Sequence, residues 1–330
     1  MSGLAPTSPA APAAAPLVLI LGATGSAGHA AAGAFLANGW RVRAMHRTLD
    51  QPACGLEWVW GDAMAPEAVA RAAEGARVIL HAVNPPKYRN WRGIGIPMLA
   101  NSIAAAKSSG ARLIFPGNIY NFPPDAGVPV DERAPQSPVS RKGKVRVEME
   151  QMLAQAAQHG ARSLVIRAGD FFGPGAATSW LHAAMVKPGK PLKSITYPGT
   201  PSVGHLWAFL PDFAEAIVRL AAAERGLPAF DVFHFGGHWI DPGIEMARAA
   251  ARVVGQPDLP IRPMPWPLLR LVSPFSGFMR ELLDVEYLWR VPIRLDNRKL
   301  TALIGAEPHT PLDEAVRRSL FPAANTAIRS

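Results

Sequence analysis

Residues 17 to 28 constrain what this chain can fold into more than any other stretch. Five consecutive aliphatic residues, Leu17 to Leu21, run directly into Gly22-Ala-Thr-Gly25-Ser-Ala-Gly28, and a segment of helical length, Ser26 to Asn38, follows. An aliphatic run without polar alternation suits a strand buried on both faces, as in a parallel sheet. Each glycine then has its own use: the first permits the tight turn, the second lets backbone approach a pyrophosphate, and the third lets the helix pack against the strand. Free N–H groups and the positive end of the helix dipole favour phosphate at that point. The order of strand, glycine loop and helix predicts dinucleotide binding by Gly22, Thr24, Gly25, Ser26, Ala27 and Gly28. Ala30, Ala31 and Ala34 keep the helix thin enough to lie close on a sheet, and Gly39 marks its end.

The same region carries no Asp, Glu, Lys or Arg before residue 41, although the 330 residues have a formal charge of +9. A secretory signal would need a basic start and a continuous apolar stretch, and neither is present. Prolines 6, 9, 12 and 16 break residues 1 to 16, which read as a disordered leader. No uninterrupted apolar run reaches the roughly 20 residues that span a bilayer, so stable membrane insertion is not expected. The single cysteine, Cys54, cannot form an internal disulfide, and a cytoplasmic location fits best. Basic side chains cluster between Arg133 and Arg146, but interleaved aromatics are missing there and nucleic-acid binding is not expected. His234 and His238 have no acidic or cysteine partners in their neighbourhood, so no metal site is expected.

From Leu17 onward short apolar runs alternate with Ala-rich helical segments, the pattern of βαβ units. Further strands are expected at Arg41 to Met45, Leu56 to Trp60, Arg77 to Val83, Ala111 to Phe115 and Arg162 to Arg167. Helices are expected at Pro66 to Ala73, Pro97 to Ser109 and Gly143 to His159. The fold class is α/β, a Rossmann-like doubly wound parallel sheet over residues 17–172. Residues 173–330 read mainly as a smaller substrate-binding lobe that returns a strand, 230–236, to the sheet. The apolar stretch Pro265 to Met279 suits a substrate lid, a homodimer face, a membrane contact or a small second core.

The GxxGxxG spacing resembles the extended and atypical short-chain dehydrogenase/reductase family, in particular its NAD-dependent epimerase/dehydratase branch, over roughly Leu17 to Leu320. Gly61-Asp62 looks like the family's adenine-contacting Asp, His81-Ala82-Val83 like its cofactor wall, and Arg167-Ala-Gly-Asp-Phe-Phe-Gly173-Pro174 like the segment leading to the substrate lobe. Trp207 to Ala216 is similar to the helix after the substrate loop. At the end of the second strand this chain has Arg43, His46 and Arg47, with His46 where the family's acid falls. Positive charge suits a ribose 2′-phosphate, so NADP(H) is preferred over NAD(H), which remains an alternative.

The resemblance implies a Ser/Tyr/Lys relay, with Tyr and Lys four residues apart on one helix face. Among the four tyrosines none has Lys four positions later. In Ser140-Arg-Lys-Gly-Lys144-Val-Arg-Val-Glu148, Lys144 takes the Lys place and Ser140 the Tyr place, while Pro116 stands where the family's Ser or Thr would be. Asn118, Tyr120, Tyr88 and Asp170 are candidate replacements near strand ends. Tyr88, Trp91, Asp170 and Phe171 are expected to touch a small-molecule substrate, and Lys87 to Arg92 could grip an anionic one. The expected function is that of an NADP(H)-binding, epimerase/dehydratase-like oxidoreductase acting on a carbonyl or sugar-nucleotide-like molecule. The alternative is a non-catalytic NADP(H)-sensing regulator.

Overall fold

A computed structural model describes residues 14–48, 50–51, 54–85, 90–186 and 192–322. The proposed leader falls almost wholly outside these residues. The central sheet has seven strands in the order β10-β6-β5-β4-β1-β2-β3. They are β1 (Leu17–Leu21), β2 (Arg41–His46), β3 (Glu57–Trp60), β4 (Val78–His81), β5 (Arg112–Asn118), β6 (Arg162–Ala168) and β10 (Phe230–His234), and every pairing is parallel. The order reverses between β1 and β4. Strands on either side of that point send their helices to opposite faces, which opens a crevice at the carboxyl ends of β1 and β4.

The alternation of β1 sorts its side chains between two cores. Val18 and Ile20 pack with Ala31 and Phe35 of α1 (Ser26–Ala37) and with Phe213 and Ile217 of α5 (Leu210–Ala223). Leu19 and Leu21 pack with Val69 of α2 (Pro66–Ala72), Leu99 of α3 (Ile96–Ser109) and Leu153 of α4 (Arg141–Ala157). Each fully buried aliphatic side chain contributes about 1.5–3 kcal/mol, so a strand buried on both sides anchors both layers.

Two expected strand limits shift for physical reasons. β4 stops at His81: Ala82 still donates its N–H to the Leu21 carbonyl at 2.9 Å, and from there the chain meets the glycine loop through Ala82 and Val83. β5 continues through Pro116 to Asn118: its last residues pair with β6 alone, since β4 reaches only Ile114, and a proline is tolerated where one side of the ladder is open.

The lobe grows from the carboxyl ends of these strands. β7 (Asp170–Phe172), β9 (His205–Phe209) and β11 (His238–Ile240) form a three-stranded sheet, and β8 (Ile195–Tyr197) pairs with β12 (Ile261–Pro263). Trp207 therefore lies in a strand, and the expected helix begins only at Leu210. Phe172, Trp207, Trp289, Met246 and Trp266 share the lobe core with α6 (Glu245–Val253) and α10 (Leu312–Leu320). In the apolar stretch, α7 (Trp266–Val272) buries Trp266, whereas Leu268, Leu271, Val272 and Phe275 remain exposed.

A buried polar network ties α4, β6 and the segment after β5 together. Arg167 donates through Nη2 and Nε to the two carboxylate oxygens of Glu150, at 2.6 and 3.2 Å. Asn121 Nδ2 donates to the same carboxylate at 2.8 Å, and Arg167 Nη1 donates to His234 Nε2 at 3.1 Å. His234 Nδ1 in turn donates to the carbonyl of Val130 at 3.1 Å. Burial, reinforced by the Arg167 charge, lowers the His234 pKa to about 3. His81 behaves alike: burial first and the Arg146 charge second bring its pKa to about 3.

Two outcomes are expected. Removing one partner from a buried ion pair strands the other charge, so Glu150→Ala should lower the unfolding free energy by about 3–5 kcal/mol in urea titrations. In the unfolded chain both histidines take up protons near pH 6.5, but in the folded chain only near pH 3. The folded state then binds fewer protons in that interval, so stability is full above about pH 6.5 and falls as pH drops, by up to about 1.4 kcal/mol per pH unit for each histidine. Urea midpoints compared at pH 7, 6 and 5 check the sign.

Candidate functional site

The glycine loop is pressed against the end of β4. Gly22 has φ +93°, and a Cβ there would lie 2.7 Å from the backbone of Ala82 and Val83. A Cβ on Gly28 would lie 2.1 Å from the Gly22 carbonyl oxygen, so the helix can approach the turn only with glycine at that place. Gly25 closes the turn by donating its N–H to the Gly22 carbonyl at 3.0 Å. Thr24 and Gly25 face solvent, and Ser26 and Ala27 are half-buried. Helix α1 starts from Gly25 with no side-chain cap and no acid in its first turn. Its first N–H groups have no side-chain acceptor among the described residues, a helix start of the kind that suits an anion. Ser26 also reaches the lobe, donating its hydroxyl to the Gly175 carbonyl at 3.0 Å.

Helix α4 shows the opposite treatment of a helix start. Ser140 Oγ accepts from the Gly143 N–H at 3.0 Å, and Asp284 from the lobe accepts from the N–H groups of Arg141 and Lys142 at 3.1 and 3.0 Å. Ser140 is buried in this cap. Its hydroxyl is therefore a structural acceptor and a poor counterpart of a relay tyrosine.

At the end of β2 the expected contacts divide. Arg43 turns to the opposite end of the sheet, donating to Glu57 at 2.8 Å and to the carbonyls of Ala72 and Glu74 at 2.7 Å, so it stands apart from the crevice. His46 Nδ1 is held by the turn that follows, 3.1 Å from the Thr48 N–H and 3.2 Å from Gln51 Nε2. Arg47 is exposed at the strand end. Asp62 Oδ1 accepts from the Met64 N–H at 2.9 Å, which shapes the turn after β3.

His81 donates through Nδ1 to Ser102 Oγ at 2.8 Å, because the Ser102 hydroxyl is itself spent on the Met98 carbonyl. This leaves His81 Nε2 sealed and without a partner among the described residues at the end of β4. Beside it lies Arg146, which sequence reasoning missed. Its guanidinium lies 4.8 Å over the ring of Trp91 and 5.2 Å over that of Phe115, and it donates to the Pro116 carbonyl at 3.3 Å and to Asn84 Oδ1 at 3.4 Å. It thus bridges the ends of β4 and β5.

The register of α4 differs from expectation by two residues. Lys144 is exposed, and Glu148 pairs at the surface with Arg92. The inward carboxylate is Glu150, and the basic residue four positions before it is Arg146. Lys142, one turn earlier, is drawn into the lobe by Glu281, 3.1 Å from Oε2 and 2.9 Å from the carbonyl. The helix therefore aims two cations inward, at positions shifted from Ser140 and Lys144.

Other candidates are placed as follows. Asn118 Oδ1 accepts from the Tyr120 N–H at 2.9 Å and caps the short turn Ile119–Asn121. Tyr120 is half-buried there, and Tyr287 from the lobe donates its hydroxyl to the Phe122 carbonyl at 3.4 Å. Phe171 packs on Phe213, with ring centroids 4.9 Å apart, on the α5 side. Asp170 accepts from His205 Nε2 at 2.8 Å. Tyr88, with Lys87 and Arg89, lies outside the described residues. His234 is committed to the buried network, and His238 Nε2 lies 2.7 Å from the Thr310 carbonyl.

Comparison with known proteins places this geometry. A curated relative, a 3-diazoavenalumate denitrifying reductase from a Streptomyces species, is 30% identical over 176 residues, 48% of this chain and 57% of the relative. The match thus spans little more than half of that protein. Among solved structures, a UDP-glucose-4-epimerase from Stenotrophomonas maltophila with bound NAD superposes with a TM-score of 0.71 at 15% identity, covering 93% of this chain and 97% of the other. A UDP-N-acetylglucosamine 4-epimerase from Bacillus cereus gives 0.70 at 11%, covering 92% and 95%. At such identities these likenesses concern the fold. The family model for NAD dependent epimerases/dehydratases matches residues 18–236, which takes in the glycine loop, every strand of the central sheet and the start of the lobe. The chain belongs to the NAD dependent epimerase/dehydratase family.

Proposed function

We propose that this protein binds NADP(H), in preference to NAD(H), in the crevice between β1 and β4, and acts as an oxidoreductase on a small molecule held by the lobe. The observation that carries the proposal is the start of α1 without a side-chain cap, the preceding Gly22 packed on the backbone of Ala82, beside exposed Arg47 at the end of β2. Bare N–H groups suit a pyrophosphate, and an exposed guanidinium suits a 2′-phosphate through paired hydrogen bonds. His46, held in its turn, and Asp62 would line the adenosine end. Ala82, Val83 and Arg146 would line the nicotinamide end, with Arg146 in the part first assigned to Lys144. When bound, the cofactor supplies a hydride.

The relay of the resembled family is altered in kind. Pro116 has no hydroxyl, Ser140 is a helix cap, and Arg146 stays charged at every working pH, so it can orient but cannot pass a proton. The curated relative is named as a reductase, which favours net reduction over epimerisation. A regulator that merely senses NADP(H) would keep the same glycine loop, and the second arm of the test separates it.

Fluorescence titration should show NADPH bound at least about 10-fold more tightly than NADH, a difference of about 1.4 kcal/mol, and Arg47→Glu should abolish that preference. Equal affinities in the native protein would sink the NADP(H) assignment. Arg146→Ala should weaken NADPH binding, whereas Lys144→Ala should leave it unchanged. Oxidation of bound NADPH by members of an aldehyde, ketone and sugar-nucleotide panel marks an enzyme, and no oxidation by any member marks a regulator.

A further inference from the structure

We infer that His205, oriented by Asp170, is the proton donor that replaces the missing tyrosine, and that the substrate is an aldehyde or ketone. The inference rests on the NADP(H)-dependent reductase reading above. Asp170 lies two residues beyond the end of β6, and Ala168 at that end pairs with Asn118 at the end of β5. The carboxyl edge that carries the glycine loop, Ala82 and Asn118 therefore also carries Asp170, where ligands of open α/β sheets bind.

His205 enters from a separate strand, β9, and its Nε2 lies 2.8 Å from Asp170 Oδ2. Trp289 stacks flat on the imidazole, with centroids 3.8 Å apart and planes within 5°, while Trp207 meets it edge-on at 5.3 Å. Ile240 is its neighbour across the sheet. The charged group bonded to the ring is Asp170, itself 12% exposed. Imidazole and carboxylate are thus locked in one orientation. Nδ1 has no partner among the described residues, and it is not one of their sealed, unpaired polar atoms, which include His81 Nε2 and His238 Nδ1. The side chain is 3% exposed, and Nδ1 is its one nitrogen without a partner among the described residues.

The proton accounting closes. As the carbonyl carbon gains a hydride, the C=O π pair moves to oxygen, which takes the proton from Nδ1 of the imidazolium. The product is an alcohol, and neutral imidazole keeps its Nε2–H on Asp170 until water returns a proton to Nδ1. A carboxylate on one nitrogen stabilises the cation that donates from the other. Asp170 acts through His205 and is a positioning residue.

Readouts that need no substrate come first. In ¹⁵N NMR of the free protein Asp170→Asn should shift the His205 Nε2 resonance, because the carboxylate that accepts from it is removed. Diethyl pyrocarbonate should carbethoxylate His205 in the folded protein, as read by peptide mass. With the aldehydes and ketones of the panel, His205→Gln should lower kcat about 100-fold or more, within the usual range of general acid catalysis, with KM and the NADPH dissociation constant unchanged. For Asp170→Asn the loss should be smaller, and the limb on which kcat falls with rising pH should move to lower pH. Near-native kcat in His205→Gln overturns the inference. So does a ring that does not react short of unfolding, and so does NADPH binding with no carbonyl reduced by the native protein. Absence of NADPH binding would instead overturn the cofactor reading, because the titration involves neither His205 nor Asp170.

Discussion

Where β1 and β4 diverge, backbone meets backbone. Gly22 rests against Ala82 and Val83, and Gly28 rests against Gly22, at distances that leave no room for a Cβ. That contact sets how far α1 stands from the sheet and keeps its first N–H groups bare at the mouth of the crevice. The cores on both faces are built outward from the same strand, because β1 alternates Val18 and Ile20 against Leu19 and Leu21. A larger residue in the turn would therefore disturb the proposed cofactor site and the layer packing together.

Charge is arranged around this centre in two ways. Inside, Glu150 and Arg167 neutralise each other and hold α4, β6 and the segment after β5 in register, while His234 stays neutral beside them. At the rim, Arg146 is fixed by carbonyl, amide and two aromatic faces, and so presents a permanent charge in a defined orientation. A guanidinium can hold a ribose or phosphate oxygen but offers no titratable proton. Proton chemistry then has to come from elsewhere, and the lobe carries an imidazole bonded to a carboxylate at the adjoining strand end.

The parallel sheet and its glycine loop were legible because both are written in contiguous residues. An aliphatic run, a turn and a helix each depend on neighbours within about ten positions, and the expected strands differ from those found mainly by a few residues at their ends. The candidate catalytic side was less legible. Along α4 each residue turns by about 100°, so a register error of two residues turns a side chain by about 200° and exchanges inward Arg146 for exposed Lys144. Nothing local in the basic stretch from Arg141 to Arg146 says which cation faces the sheet. Glu150, buried against Arg167, settles it, and that pairing joins elements separate in sequence.

By itself, then, the sequence determined a doubly wound α/β architecture, a glycine turn between its first strand and first helix, and the absence of any Tyr with Lys four positions later, since these follow from local pattern and from residue identity. Only the tertiary structure decided that Arg43 points away from the crevice, that Ser140 is spent as a helix cap, and that Arg146 lies between Trp91 and Phe115. It alone brought His205 to Asp170 and laid Trp289 across the ring. Such partners lie 35 residues or more apart, and their meeting depends on the crossing of strands, which no short window of sequence contains.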